Sequence, residues 1–464
     1  GVTSTLSALR AIAVPCLFSC ATTIAGFVAL GTSRIIPIRD FGQLMATGIA
    51  VGFVVVFLFI PAAMAKLRPL NFATGGGSRA SQVAAKHSRG FVRALQRLTL
   101  AKPWLVVTTA GVVLVASLAG AMRISAETKF SSYFWPGSEV YQGLEFIDQK
   151  MGGTTWIEVI LTSSKPGHFR TPDGLRALAA AERYFESVPE TGNILSLTKL
   201  RDEMRKTFSE ARFPFLSDAA IFRIVGLFGP EILQQMSNSD FSTGRTTVRM
   251  LETAPTLDRN RILDGLDRYL EENAAEFEGL DVQITGVFPV YADLLNTLLE
   301  GQKQSVLYVP LAVYVMLVLL FRSPLLALIV LIPQALPATV LLGVMGWAGI
   351  PLDLVTVMIA SIAIGVGIDA AIQYTIRFRA ELDAAGGDHR AALRGAHATI
   401  GRAIWIATSI IVVGFSILVL SQFFPSVWFG LFTALAMLIS QLATLTLLPS
   451  LFLLTGRPKP RQKT

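Results

Sequence analysis

The stretch Ser361-Ile-Ala-Ile-Gly365-Val-Gly367-Ile-Asp369-Ala-Ala-Ile-Gln373 sets one carboxylate in an otherwise apolar segment, and that combination decides how the chain is read. The apolar segment runs over 352–376, long enough for a helix to cross the roughly 30 Å hydrocarbon core of a bilayer. Seven more such runs occupy 11–33, 41–65, 103–123, 305–321, 324–347, 403–421 and 427–454. The composition agrees: 52% of the 464 residues are hydrophobic and 16% charged, where a soluble domain carries about 25% charge. Two cysteines exclude a disulfide framework and a thiolate metal cluster.

The charges divide the chain. Of the 32 acidic residues, all but Asp40, Asp353, Asp369, Glu381, Asp383 and Asp388 fall between Ser125 and Lys303, as in a water-soluble domain. The linker 66–102, the loop 377–402 and the tail Arg457-Pro-Lys-Pro-Arg461-Gln-Lys463 are basic, and alternating spans place all three on one side. The positive-inside rule makes that side cytoplasmic and the acidic domain external. The net charge of +8 is therefore a topology signal, and no nucleic-acid partner is expected. Within the linker, Thr74-Gly-Gly-Gly77-Ser reads as a flexible joint, and 83–98 as either a basic amphipathic helix on the anionic leaflet or a solvated linker.

A shift of 388 residues lays the first hairpin on the last. Gly26-Phe27 falls on Gly414-Phe415, and Leu30, Ser33 and Pro37 fall on Leu418, Ser421 and Pro425. Phe41-Gly42, Ala46 and Pro61 fall on Phe429-Gly430, Ala434 and Pro449. The chain thus reads as a duplicated membrane protein holding two helices of a first repeat and a whole second repeat. A preceding part of roughly 300 residues, giving a parent of twelve spans and two external domains, is the expectation. The domains follow: 1–66, last helices of the first repeat; 67–102, basic cytoplasmic linker; 103–124, first helix of the second repeat; 125–303, external domain; 304–456, five-helix bundle; 457–464, basic tail.

In the external domain, 155–162 alternates as a strand, 172–185 reads as a helix and 193–198 as a strand. Strand 246–251, helix 258–277 and strand 282–285 repeat the pattern, giving two ferredoxin-like β-α-β halves around a helical insert at 200–236.

These features together resemble the resistance–nodulation–division (RND) superfamily, in its MMPL branch. The residues that carry the likeness are Phe130-Ser-Ser-Tyr133-Phe, Ser138-Glu-Val-Tyr141, Leu144-Glu-Phe-Ile147-Asp and Gly152-Gly-Thr-Thr155. Pro351-Leu-Asp353, Gly365-Val-Gly367-Ile-Asp369, Gly414-Phe415 and Leu448-Pro449 complete it. The resemblance implies a polytopic α-helical protein of the bacterial inner membrane, with eight spans here and a periplasmic porter domain. It implies proton-driven secondary transport that exports a lipid or other hydrophobic molecule. It also implies a core shared with sterol-sensing-domain proteins, so a lipid-binding sensor or scaffold that does not pump is the alternative.

Asp369 is the leading site residue. A carboxylate at the bilayer centre costs about 2.5–3.5 kcal/mol, and such residues face a bundle interior and carry a task. Either it holds a proton, its partner lies in the absent half, or it is a permanently protonated structural group. Gln373 lies four residues on, over the same helical face. The family pattern sets Thr408 and Ser409 against the site, although such hydroxyls also bond the i−4 carbonyl of their own helix. Where relatives often have Asp or Tyr and then His, this chain has Ala370 and Gln373. Gly365 and Gly367 suit close helix contact, and Pro333 and Pro337 mark a hinge or an ordinary membrane-helix break. Asp353 sits at a wet span end, Cys16 and Cys20 pack one helix face, and the four histidines have no metal-ligand spacing. Nothing resembles a phosphate loop or nucleophile elbow, so the chain reads as a transporter without cofactor and not as an enzyme. Its partners would be a hydrophobic substrate, the membrane, the absent half and a further copy of itself.

Overall fold

The structure is a computed structural model that describes residues 13, 16–28, 31, 36–66, 79–124, 129–210, 217–352 and 354–458. The joint at 74–78, Asp353, the Leu30 and Ser33 positions of the repeat and the tail past residue 458 lie outside them. The chain forms two compact units. One comprises Gly1–Ala126, Thr297–Ser421 and Pro425–Thr464, the other Glu127–Asn296 with Gln422–Phe424.

The first unit is helical: α1 (Cys16–Val28), α2 (Ile36–Lys66), α3 (Arg79–Ala101) and α4 (Pro103–Ala121) open it. Among the described residues, Ile38–Phe59, Pro103–Ala121, Pro324–Ala348, His389–Leu420 and Phe424–Thr455 are long and apolar enough to cross a membrane. Cys16–Val28 and Tyr308–Phe321 are shorter apolar helices.

The second unit opens with α5 (Glu139–Met151) and holds a four-stranded sheet. Its elements are β1 (Thr155–Ser163), α6 (Pro172–Glu186), β2 (Thr191–Leu195), α7 (Leu197–Glu210), α8 (Asp218–Phe228) and α9 (Pro230–Met236). β3 (Thr243–Met250), α10 (Arg259–Glu272) and β4 (Leu280–Thr285) follow, and α11 (Val287–Phe321) leads out. The strand order is β2-β3-β1-β4, antiparallel throughout. Each β-α-β unit is therefore split, with a strand of the other inserted between its own two. β1 alternates as its sequence requires: Ile157, Val159 and Leu161 are fully buried with Leu175, Leu178 and Phe185 of α6, while Trp156 points away. Gly152 and Gly153 turn the chain into β1 at φ +75° and +117°, and a Cβ on Gly153 would lie 2.8 Å from the Met250 carbonyl oxygen. The ends of the sheet are pinned by charge. Buried Glu252 pairs with buried Arg259, accepts from the Phe130 N–H at 2.6 Å and from Thr155 Oγ1 at 3.1 Å, and Arg259 stacks over Phe288 and Tyr291. The Phe130-Ser-Ser-Tyr133 motif thus ties the entering segment to the exit helix, for Tyr291 donates to the Tyr133 hydroxyl at 3.1 Å.

Back in the first unit come α12 (Pro324–Ala348), α13 (Leu354–Ala384), α14 (His389–Ala396) and a π turn at His397–Gly401. α15 (Arg402–Ser416), α16 (Phe424–Leu442), a second π turn at Ala443–Leu447 and α17 (Leu448–Thr455) complete it. The apolar rod around α15 starts at His389, well before residue 403, because the π turn carries α14 straight into it. Ser323 caps α12 with Pro324 in its first turn, and Gly349 ends it at φ +66°. α4 and α12 meet backbone to backbone: a Cβ on Gly120 or Gly346 would overlap a main-chain carbonyl of the facing helix. Trp347 Nε1 donates to the Ala116 carbonyl at 3.0 Å beside this contact.

The repeat has a physical counterpart. Phe27 and Phe41 meet edge to face with ring centres 6.1 Å apart and planes at 64°. Phe415 and Phe429, at the same offset of 388, meet at 5.9 Å and 68°.

Candidate functional site

Asp369 lies midway along α13, half-buried against α1. Gly365 and Gly26 let the two helices touch, a Cβ on Gly365 standing 3.5 Å from the Gly26 Cα. At that contact Thr23 Oγ1 sits 3.2 Å and 3.3 Å from the two carboxyl oxygens of Asp369. The same hydroxyl lies 3.1 Å from the Ser19 carbonyl and 3.4 Å from the Gly365 carbonyl. One hydrogen thus has several acceptors and donates to one of them at a time. Thr22 donates to the Ser19 carbonyl at 2.8 Å, so α1 presents a small hydroxyl cluster here. Among the described residues no Lys, Arg or His lies within ion-pair distance of Asp369.

The residues singled out from the sequence divide. Gly365 stands at the α1 contact. Gly367 faces the other way, where a Cβ would meet Ser440 Oγ at 2.5 Å and Gln334 Oε1 at 2.8 Å. Pro333 and Pro337 are buried and flank Gln334. Thr408 donates to Gln441 Oε1 at 2.7 Å, and Ser409 donates to the Trp405 carbonyl of its own helix at 2.8 Å. Neither hydrogen-bonds Asp369, and no hydrogen bond joins Gln373 to it among the described residues. Cys16 and Cys20 are free thiols on α1, and no metal-ligating group occurs among the described residues.

Sequence reasoning passed over two constellations. Gln334 accepts from Ser440 Oγ at 2.8 Å and donates to Thr444 Oγ1 at 3.1 Å, while Ser440 also reaches the Gly367 carbonyl at 3.3 Å. This neutral network joins α12, α16 and the second π turn to the α13 backbone at Gly367, two residues from Asp369. Farther along α13, fully buried Tyr374 meets fully buried His397 at 2.9 Å to Nδ1. His397 Nε2 lies 3.0 Å from the Leu445 carbonyl. Nδ1 also lies 3.2 Å from the Leu393 carbonyl, so each ring nitrogen faces a carbonyl acceptor, and the direction of the Tyr374 bond is set by which nitrogen carries the hydrogen. The histidine thereby bridges the two π turns, a kind of helix defect often kept at functional positions. The signal for Thr23 was in the repeat: Ser19, Thr22 and Thr23 align with Ala407, Ile410 and Ile411, so the hydroxyls belong to one copy alone.

Known proteins agree with this architecture. The sequence model of the MMPL family matches residues 196–464. A membrane protein of Methanocaldococcus jannaschii is 24% identical over 364 residues, 77% of this chain and 92% of that protein. The hopanoid transporter HpnN of Burkholderia multivorans is 30% identical over 183 residues, 39% of this chain and 20% of the transporter. The apo-petrobactin exporter of Bacillus anthracis is 26% identical over 185 residues, 39% of this chain and 25% of the exporter. The fold is similar to that of the hedgehog release protein Disp from the water bear Hypsibius dujardini, with a TM-score of 0.56 at 15% identity over 97% of this chain and 59% of that one.

Proposed function

The chain belongs to the MMPL family, and from that premise we propose that it is part of a proton-driven secondary transporter that exports a lipid or other hydrophobic molecule. The observation that carries the reading is Asp369 at a glycine-lined helix contact with Thr23 as its hydrogen-bond partner. When the carboxyl is charged it accepts the Thr23 hydrogen. When it takes up a proton it gains a donor, and with the Thr23 oxygen in reach as acceptor the Thr23 hydrogen is freed for the Ser19 or Gly365 carbonyl. Protonation thus reverses a hydrogen bond between α1 and α13, the kind of local change that biases two packings of a bundle. The transporters named among the relatives, one of hopanoids and one of petrobactin, support an amphiphilic cargo.

Eight spans, α13 among them, would place the sheet-bearing unit in the periplasm as a ferredoxin-like porter domain, with α3 and the tail on the cytoplasmic side of a bacterial inner membrane. An N-terminal half of the same protein would complete the twelve-span bundle, and a homo-oligomer is compatible with it. The test uses the complete protein in liposomes with an imposed pH gradient and a lipid probe. Asp369→Asn abolishes gradient-driven transport; transport at the wild-type rate defeats the proton role.

A second reading, a lipid-binding sensor or scaffold that does not pump, draws on Gln373, Thr408 and Ser409, none of which hydrogen-bonds Asp369. Lipid binding without any proton flux in the same liposomes would establish it instead.

A further inference from the structure

Helix α3 carries a charge pattern that the transport reading does not use. Its sequence, RASQVAAKHSRGFVRALQRLTLA, contains no acidic residue. Val92 and Thr99 are buried, with Val92 against Gly401 of the first π turn, and Phe91 stacks on Trp405 with ring centres 4.2 Å apart. That packing fixes the rotation of the helix. Arg89, Arg93 and Arg97 then recur every fourth residue, all exposed, within an arc of about 80°. No ion pair neutralises them among the described residues. Next to the arginine row, on the side away from Val92 and Thr99, Ala94 and Leu98 form an apolar edge, Leu98 42% exposed. The helix ends at Ala101, and the apolar span α4 starts at Pro103, so the row lies within a few turns of a membrane-crossing segment.

From this placement we infer that Arg89, Arg93 and Arg97 form a binding surface for the phosphates of anionic phospholipid headgroups. The apolar edge enters the acyl boundary, and the three guanidinium groups, planar donors suited to phosphate oxygens, lie at headgroup level. A zwitterionic headgroup carries no net charge for the row to attract; an anionic one does. Charge complementarity selects this occupant over an acidic protein because the apolar edge is continuous with the arginine row, as lipid requires. The inference depends on the membrane placement of α4 and not on what is exported.

The full chain, reconstituted in nanodiscs of mixed phosphatidylglycerol and phosphatidylcholine, tests it through the ratio of the two lipids retained after detergent extraction, read by mass spectrometry. The wild type retains phosphatidylglycerol in excess, and the excess falls as salt rises. Replacing all three arginines with Gln reduces the relative retention on the order of 100-fold, about fivefold for each charge. The triple Lys variant, which keeps the charge, retains most of the excess. All three positions are exposed, so folding survives the changes, and circular dichroism of the full chain confirms it. Equal retention of the two lipids by the wild type, or an unchanged excess in the Gln variant, overturns the inference, and equal retention alongside capture of an acidic protein would give the row a different partner.

Discussion

The two copies of the hairpin, α1–α2 and α15–α16, share their framework and differ in their polar atoms. Both hold an edge-to-face phenylalanine pair with nearly the same separation and angle. In the first copy, Thr23 meets the Asp369 carboxyl. In the second, Ile411 stands at the equivalent place, and the nearby hydroxyl of Thr408 is bonded to Gln441. The offset of 388 keeps the phenylalanines that pack the helices but not the hydroxyl beside the carboxylate. On the proposed function, the aromatic pair found at both offsets serves as scaffold and the hydroxyl found at one offset serves the proton site.

The largest effect expected is at the asymmetric positions. Asp369→Asn lowers gradient-driven transport by about 100-fold or more, because the amide can neither gain nor lose the proton. Thr23→Val, which keeps shape and removes the hydroxyl, lowers it about tenfold, whereas Ile411→Val leaves it unchanged; liposome flux measures all three. Equal losses at Thr23 and Ile411 would break the comparison. Next in size is Gly430→Ala. Its Cβ would lie 2.5 Å from the Phe415 carbonyl, so it forces α15 from α16 and destabilises the helical unit by about 1–3 kcal/mol in thermal unfolding of the full chain. Double-mutant cycles on Phe27/Phe41 and on Phe415/Phe429 should then give similar coupling energies of about 1 kcal/mol, sharpening the claim that these pairs are shared scaffold.

The smallest effect lies outside both hairpins and sets their baseline. Burial pushes the Glu182 carboxyl up from its ordinary value of 4.5, against the hydrogen bonds it accepts from Ser196 and Thr198. A carboxyl raised in the folded state binds more protons there than when unfolded. The stability it contributes is therefore fully present below pH 4.5 and declines as pH rises through the folded value. Glu182→Gln should flatten that decline, read as hydrogen exchange of β1 and α6 across pH. Any pH dependence of transport that survives in this variant belongs to the helical unit.

Much of this was legible in the sequence because lipid simplifies the code. Long apolar runs with basic flanks read as membrane helices, and five such helices stand among the described residues, whereas the lone carboxylate left several readings open. The duplication showed itself through glycines, prolines and phenylalanines, the residues that shape helix contacts. The hydroxyls were harder. A hydroxyl in an apolar helix ordinarily bonds its own i−4 carbonyl, as that of Ser409 does, so in the sequence Thr23 differs only by lacking a counterpart in the repeat, and the contact with Asp369 gives that difference a meaning. His397 was hidden for a related reason: its neighbours in sequence are unremarkable, and its partners Tyr374 and Leu445 come from two other elements. β3 begins at Thr243, ahead of the apolar alternation, because Thr243 and Gly244 pair with Thr162 and Leu161 through the main chain.

The crossing of α4 and α12 has a mechanical consequence. Where Gly120 meets the main chain of Gly343 and Gly346, the two helices approach backbone to backbone, and the Trp347 ring packs against Gly120 beside that contact. Such a joint is stiff in compression, and the Trp347 hydrogen bond to Ala116 resists sliding along it. The two helices therefore count as one strut, and any rocking of the bundle must take its travel from other joints, among them the contact between α1 and α13.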